Sequence, residues 1–124
     1  MAYDRIKAIA GYNFIVACFF IGGIMSFFML HPKEIEKIRC EKRATLVDVR
    51  EREQYVQYHY KNAVNIPYSQ EERWVDQFCE NRIYILYCEY GNVSLLAARR
   101  LSKKGITAYT VIGGINAWQE YVGR

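Results

Sequence analysis

No Cys-x-x-Cys pair occurs in this 124-residue chain, and none of its four cysteines (Cys18, Cys40, Cys79 and Cys88) stands at a Cys/His spacing that could close a zinc site. Neither a metal nor a disulfide framework is indicated, and free thiols suit a reducing compartment. Charge of a single sign is scarce as a pattern too. The net +4 comes from 17 basic and 13 acidic residues. After His31 the signs are interspersed and do not form the basic stripe that tracks phosphates, so nucleic acid is not an expected partner. The junction Phe-Phe-Met-Leu-His-Pro-Lys-Glu (27–34) lacks a small-x-small cleavage site, which argues against a removed signal peptide.

What the chain has in excess is apolar residues, 52% of the total, and the excess is concentrated. Ala8 to Leu30 are 23 consecutive uncharged residues, which at ~1.5 Å per helical residue cover the ~30 Å hydrocarbon layer of a bilayer. The expectation is one transmembrane helix over residues 8–30, within an anchor of residues 1–31, followed by a folded domain over 32–124. Ile15-Val16-Ala17-Cys18 resembles a lipoprotein cleavage box, but the chain stays apolar for twelve residues beyond Cys18. Arg5 and Lys7 precede the run, whereas Lys33, Lys37, Arg39, Lys42 and Arg43 follow it. This bias predicts a single-pass protein of the cell membrane with its domain in the cytoplasm. Gly22-Gly23 offers a small packing face but no GxxxG repeat.

After the run, Pro32 suits a first helical turn, and Ile35, Ile38 and Cys40 predict a short amphipathic helix ending before Ala44. Thr45 to Val49 reads as a buried strand that delivers Asp48 to its C-terminal end. A charged, periodic segment follows from Arg50 to Tyr58, then a short strand at Ala63–Ile66 stopped by Pro67. Glu71 to Cys79 carries Trp74, Val75 and Phe78 at helical spacing. Ile83 to Tyr87 is an apolar strand, and the next helix, about Val93 to Lys103, is expected to bury Leu95, Leu96, Ala98 and Leu101 and to end at a left-handed Gly105. Ala108 to Ile112 makes the last strand, and Gly113-Gly114 turns into a helix holding Trp118. Strands alternating with helices predict an α/β fold, a mainly parallel central sheet with helices on both faces. Sites in such sheets lie at the carboxyl ends of strands, where Asp48 and Cys88 both fall.

Cys88-Glu89-Tyr90-Gly91-Asn92-Val93-Ser94 leaves a buried strand and passes through a glycine turn into a helix N-terminus. A thiolate or persulfide placed there would meet successive backbone N–H groups and the positive end of the helix dipole. An inert core cysteine would have the same spacing, so the two readings stay open on the residues alone.

Four segments in order resemble a known family: Leu46-Val47-Asp48-Val49-Arg50-Glu51; His59 with Ala63-Val64-Asn65-Ile66-Pro67; the Cys88 loop; and Gly113-Gly114-Ile115-Asn116-Ala117-Trp118. Together, over about Pro32 to Tyr121, they resemble a rhodanese domain. The resemblance implies a three-layer α/β fold and a sulfurtransferase that needs no cofactor or metal. Cys88 would be the catalytic nucleophile: it would take sulfur from a sulfane-sulfur donor, hold it as a persulfide and pass it to a thiol or cyanide acceptor. The amides of Glu89, Tyr90, Gly91, Asn92, Val93 and Ser94 would cradle the anion, with Asp48 and Arg50 as structural support. His59 is implied to be structural; Cys40 and Cys79, each on an expected helix, read as packing residues, and Arg99 and Arg100, more than a turn past the start of theirs, as surface charge.

Three positions depart from the family pattern. Glu89 and Val93 stand where many members have arginine, and Tyr58 stands where glycine usually precedes His59. A carboxylate beside the nucleophile would oppose thiolate formation and repel thiosulfate. The related phosphatases and arsenate reductases use a Cys-x5-Arg loop whose arginine grips an oxyanion, whereas the sixth residue beyond Cys88 is Ser94. The competing reading is a module that kept the fold and uses its loop surface or anchor to bind a protein partner, which the sequence does not name.

Overall fold

The computed structural model describes residues 15–16 and 27–123. Strands β1 (Ile15–Val16), β2 (Phe28–Leu30), β3 (Thr45–Asp48), β4 (Val64–Asn65), β5 (Ile83–Tyr87) and β6 (Thr107–Val111) form one sheet in the order β1-β2-β6-β5-β3-β4. Every neighbouring pair is parallel except β1 with β2. The helices are α1 (Ile35–Lys42), α2 (Arg52–Gln57), α3 (Asn92–Lys103) and α4 (Gly114–Val122), with short 3-10 turns at Pro32–Glu34 and Glu72–Gln77.

The alternation of side chains along a strand sorts the core into two layers. Tyr84, Leu86 and Cys88 point to one face, where they join Val47, Val49, Ala108, Trp74, Val75, Phe78 and the inner side of α3. Ile85 and Tyr87 point to the other, with Leu46, Tyr109, Val111, Ile35 and Ile38 of α1, and Ile115 of α4. Cys88, one residue beyond β5, keeps the phase of the strand and so lies on the α3 face. The expected α/β architecture with both faces of a parallel sheet covered is what forms.

The buried stripe of α3 is Ser94, Ala97, Ala98 and Leu101, spaced by three, four and seven residues as one helical face requires. The expected stripe included Leu96, which is 50% exposed. Two residues past Ser94 means about 200° around the axis, away from the sheet. Three fully buried positions of the stripe are small (Ser94, Ala97, Ala98), which brings the helix close to the sheet where the cysteine loop is tethered. The segment at Glu71–Cys79 is a 3-10 turn, not a full helix, with the ring of Trp74 4.9 Å from that of Phe78.

The apolar run differs from expectation. A single membrane-crossing helix over residues 8–30 does not fit its described portion, because Ile15–Val16 and Phe28–Leu30 are paired strands and β2 lies parallel to β6. Phe27 and Leu30 are 2% and 0% exposed: the protein core gives them the apolar surroundings that lipid would otherwise supply. Leu30 also accepts a hydrogen bond from the Ile112 N–H at 2.8 Å. Among the described residues no helix is long and apolar enough to cross a membrane. Residues 8–14 and 17–26 of the run lie outside the described residues, and β2 precedes the expected domain start at Pro32.

Candidate active site at the Cys88 loop

β5 ends at Tyr87, and the six residues after Cys88, Glu89 to Ser94, wrap around its sulfur; Cys88 is 3% exposed. The N–H of Gly91 donates to Sγ at 3.1 Å and that of Ser94 at 3.3 Å. Two converging N–H groups beside the first turn of a 12-residue helix suit a sulfur bearing negative charge. Gly91 has φ +103°, and a Cβ there would stand 3.0 Å from the backbone nitrogen of Gly113. Only glycine makes this turn without strain.

Ser94 carries a second connection. Its Oγ lies 3.6 Å from Sγ, 3.3 Å from the Gly91 carbonyl and 2.7 Å from Thr110 Oγ1 of β6. The hydroxyl can accept from a thiol or rotate to donate to a thiolate, with Thr110 available as donor or acceptor behind it. Cys88 Sγ is also 4.0 Å from Asn92 Oδ1.

The loop is braced from behind by the start of α4. The Ile115 N–H donates to the Cys88 carbonyl at 2.8 Å and the Asn116 N–H to the Glu89 carbonyl at 3.1 Å. Gly114, at φ +65°, permits this approach: a Cβ would overlap the Cys88 oxygen and stand 2.5 Å from that of Glu89. The Gly113-Gly114-Ile115-Asn116 segment was legible as a sequence motif. Its role as the backing plate of the cysteine loop was not, because the contact spans more than twenty residues of chain.

On the other side, Asp48 is 0% exposed and Arg50 8%. Arg50 is not a surface charge. Its own N–H and Nε bind Asp48 Oδ1 at 2.9 and 3.0 Å, Nη2 reaches Asp48 Oδ2 at 2.8 Å and the Tyr58 carbonyl at 2.6 Å, and Nη1 reaches Glu89 Oε1 at 3.1 Å. Burial works against the charged guanidinium, but the bonds and attraction to Asp48, and then to Glu89, outweigh it and hold its pKa above the ordinary value. Glu89 is therefore an ion-pair partner of Arg50 and not a bare carboxylate turned on the nucleophile. The side chain of Asn65 adds to the frame by donating to the carbonyls of Asp48 and Arg50, both at 3.0 Å.

A cleft of about 250 Å³ opens onto the sulfur, lined by Val49, Arg50, Glu51, Gln54, Tyr68, Cys88, Glu89, Asn92 and Val93. Gln54 and Tyr68 carried no signal in the sequence, since they reach the site from α2 and from the loop after β4. Tyr90 is 67% exposed and does not line the cleft. Among the remaining expectations, His59 is braced structurally, with its Nδ1 2.7 Å from the Tyr55 carbonyl and its ring stacked on Tyr55 at 3.8 Å. Cys40 and Cys79 are exposed and so are not packing residues. Arg100 is not free surface charge: it donates to the carbonyls of Ser69 and Glu71 and lies over the rings of Tyr68 and Trp74 at 5.5 and 5.3 Å.

Comparison with known proteins agrees with this geometry. The family model for the rhodanese-like domain matches residues 31–121. An adenylyltransferase and sulfurtransferase of Ogataea parapolymorpha is 33% identical over 106 residues, which is 81% of this chain and 27% of that protein. A tRNA sulfurtransferase of Pyrobaculum aerophilum is 34% identical over 80 residues, 64% of this chain and 16% of that protein. The chain thus spans 27% and 16% of the length of these two relatives. The crystal structure of a rhodanese-related protein from Thermoplasma volcanium superposes with a TM-score of 0.66 at 29% identity, over 75% of this chain and 91% of that one. A parallel sheet that ends in a braced cysteine loop, matched over this span, makes the chain a member of the rhodanese-like domain family.

Proposed function

We propose that this protein is a sulfurtransferase that carries sulfane sulfur as a persulfide on Cys88. The observation that carries the reading is the pair of N–H donors, from Gly91 and Ser94, converging on a sulfur that faces a cleft. Relatives named as sulfurtransferases support the general chemistry.

In the first step the Cys88 thiolate attacks the outer sulfur of a donor R–S–SH. A new S–S bond forms, the donor's S–S bond breaks, and RS⁻ leaves and takes up the proton that Cys88 gave up, to become RSH. In the second step an acceptor nucleophile attacks the outer sulfur of the persulfide, and Cys88 departs as thiolate. No net oxidation occurs across the two steps. The Gly91 and Ser94 amides are placed to stabilise the sulfur anion at both ends of the cycle, and Ser94 Oγ can turn toward it as a donor. The Asp48–Arg50–Glu89 chain positions the loop without touching Sγ.

Intact mass of the protein after exposure to a persulfide donor tests this. A +32 Da adduct in the parent that is absent in Cys88→Ser supports the reading. A folded domain with a free thiol that takes no sulfur from any donor overturns it and favours a binding module.

We also propose a membrane tether through the uncharged run, with the site on the cytoplasmic side. Its support is the absence of charge over Ala8 to Ser26, the part of the run that precedes the buried Phe27 and β2, and the cations that follow the run. The pairing of β1 with β2 is the competing use of the same residues. Retention of the full chain in membranes after alkaline extraction supports the tether, and release supports folding of the run onto the sheet edge.

A further inference from the structure

The charges around the cleft do not balance. Asp48 and Glu89 pair with the guanidinium of Arg50, and Glu51, whose side chain caps the N-terminus of α2, adds a third carboxylate at the cleft, so these four side chains carry a net −2. Asp48 is enclosed behind the cleft, while Glu51 and Glu89 line it. Among the described residues Arg50 is the only basic residue of the lining, and it is committed: Nε and Nη2 to Asp48, Nη2 also to the Tyr58 carbonyl, and Nη1 to Glu89. An incoming anion would have to displace Glu89 from it. Arg100, outside the lining, lies over the Tyr68 ring and is held by the carbonyls of Ser69 and Glu71. The positive potential at Sγ comes from backbone dipoles, which fall off within a turn and act on the sulfur itself, not on the body of the donor.

From this arrangement we infer that the donor is a persulfide carried on a small cationic aminothiol, and that Glu51 and Glu89 select it. The inference rests on the sulfurtransferase reading of Cys88. The transferred atom and the S–S exchange are those already given; the carboxylates act on the carrier group, attracting an ammonium and repelling an anion as it enters. Beside the polar Gln54 and Asn92, Val49, Val93 and Tyr68 give the wall an apolar part, which suits the methylene portion of such a thiol. Inorganic thiosulfate, a dianion with no apolar part, fits neither property of the cleft.

A matched series of persulfides separates charge from reactivity: those of 2-aminoethanethiol (cationic), 2-mercaptoethanol (neutral) and 2-mercaptoethanesulfonate (anionic), with thiosulfate alongside. Loading of the full chain is followed by the +32 Da adduct, and each rate is divided by that of the neutral donor in the same variant, so that a general defect cancels. The expected order is cationic over neutral over anionic, on the order of tenfold from end to end at low ionic strength and shrinking with added salt. Glu89→Gln and Glu51→Gln keep an acceptor oxygen for Arg50 and for the α2 N-terminus respectively, and the double variant is expected to flatten the series. Equal rates across the series, a preference for the anionic donors, or a preference that the double variant leaves intact would overturn the selection while Cys88 loading stands. Absence of any adduct from all four donors would overturn the sulfurtransferase reading itself, and this inference with it.

Discussion

Replacing Gly114 by alanine tests whether the start of α4 holds the cysteine loop in place, and Gly105→Ala is its control. Both glycines have positive φ, +65° and +79°, so both substitutions carry the left-handed penalty of about 1–2 kcal/mol. They differ in space. Among the described residues nothing lies within 4 Å of a Cβ added at Gly105, whereas one at Gly114 meets the backbone of Cys88 and Glu89 at 2.5–2.6 Å or closer. Those atoms are backbone, fixed by hydrogen bonds from Ile115 and Asn116. Relief therefore requires separating α4 from the loop, at a further cost of about 1 kcal/mol for each of the two bonds. Gly114→Ala should lose about 3–4 kcal/mol against about 1–2 for Gly105→Ala. At about 4–8 °C per kcal/mol in a domain of this size, thermal melts followed by circular dichroism should resolve the two. Sulfur loading should fall at least about tenfold in Gly114→Ala, since displacement of Sγ from its two amides needs to cost only about 1.4 kcal/mol in the transition state for that loss. Loading by Gly105→Ala should match the parent. Equal melting shifts, or parental loading by Gly114→Ala, would refute the bracing role.

Arg50→Met leaves the fully enclosed Asp48 without its partner and should destabilise the domain by about 3–5 kcal/mol in urea unfolding; a loss below about 1 kcal/mol would show that Asp48 finds another partner. Ser94→Ala strands the buried Thr110 hydroxyl, whose bond to Ser94 is 2.7 Å, at about 1–3 kcal/mol. The double variant Ser94→Ala with Thr110→Val removes both polar groups and should be no less stable than the single one. Tyr60 donates to Glu36 at 2.6 Å, and that bond is the leading cause that holds the Glu36 pKa below 4.5 against the opposing effect of burial. A depressed carboxylate contributes stability that is complete above its unfolded pKa and lost as pH falls through the folded one. The advantage of the parent over Tyr60→Phe should accordingly have a component that disappears below pH 4.5, measured as the difference in urea midpoints across pH 3–7; a difference that is flat with pH would remove Glu36 from the account.

Local pattern determined much of this protein. Strands at β3, β5 and β6 were legible as β-branched or apolar runs, α3 as a period, and the left-handed turn at Gly105 as a glycine after a helix. Cys88 was marked as a candidate nucleophile by the strand, glycine turn and helix around it. These features are set by residues within a few positions of one another, where backbone preferences and side-chain alternation act directly. Of the expected stripe of α3, Ala98 and Leu101 are buried, Leu95 is half-buried and Leu96 is exposed; the close approach of the sheet selects the small residues Ser94 and Ala97 in place of that leucine.

Tertiary structure alone decided the rest. That Glu89 pairs with Arg50, that Thr110 supports Ser94, that Gly114 presses on the Cys88 carbonyl and that Arg100 lies over two aromatic rings all depend on chain segments 10 to 40 residues apart. The apolar run shows the same limit. An uncharged stretch satisfies a membrane and a protein core equally well, because both exclude water from it, so its composition cannot choose between them. For Phe28–Leu30 the choice is made by the free edge of β6, whose backbone N–H and C=O groups need partners and find them in β2.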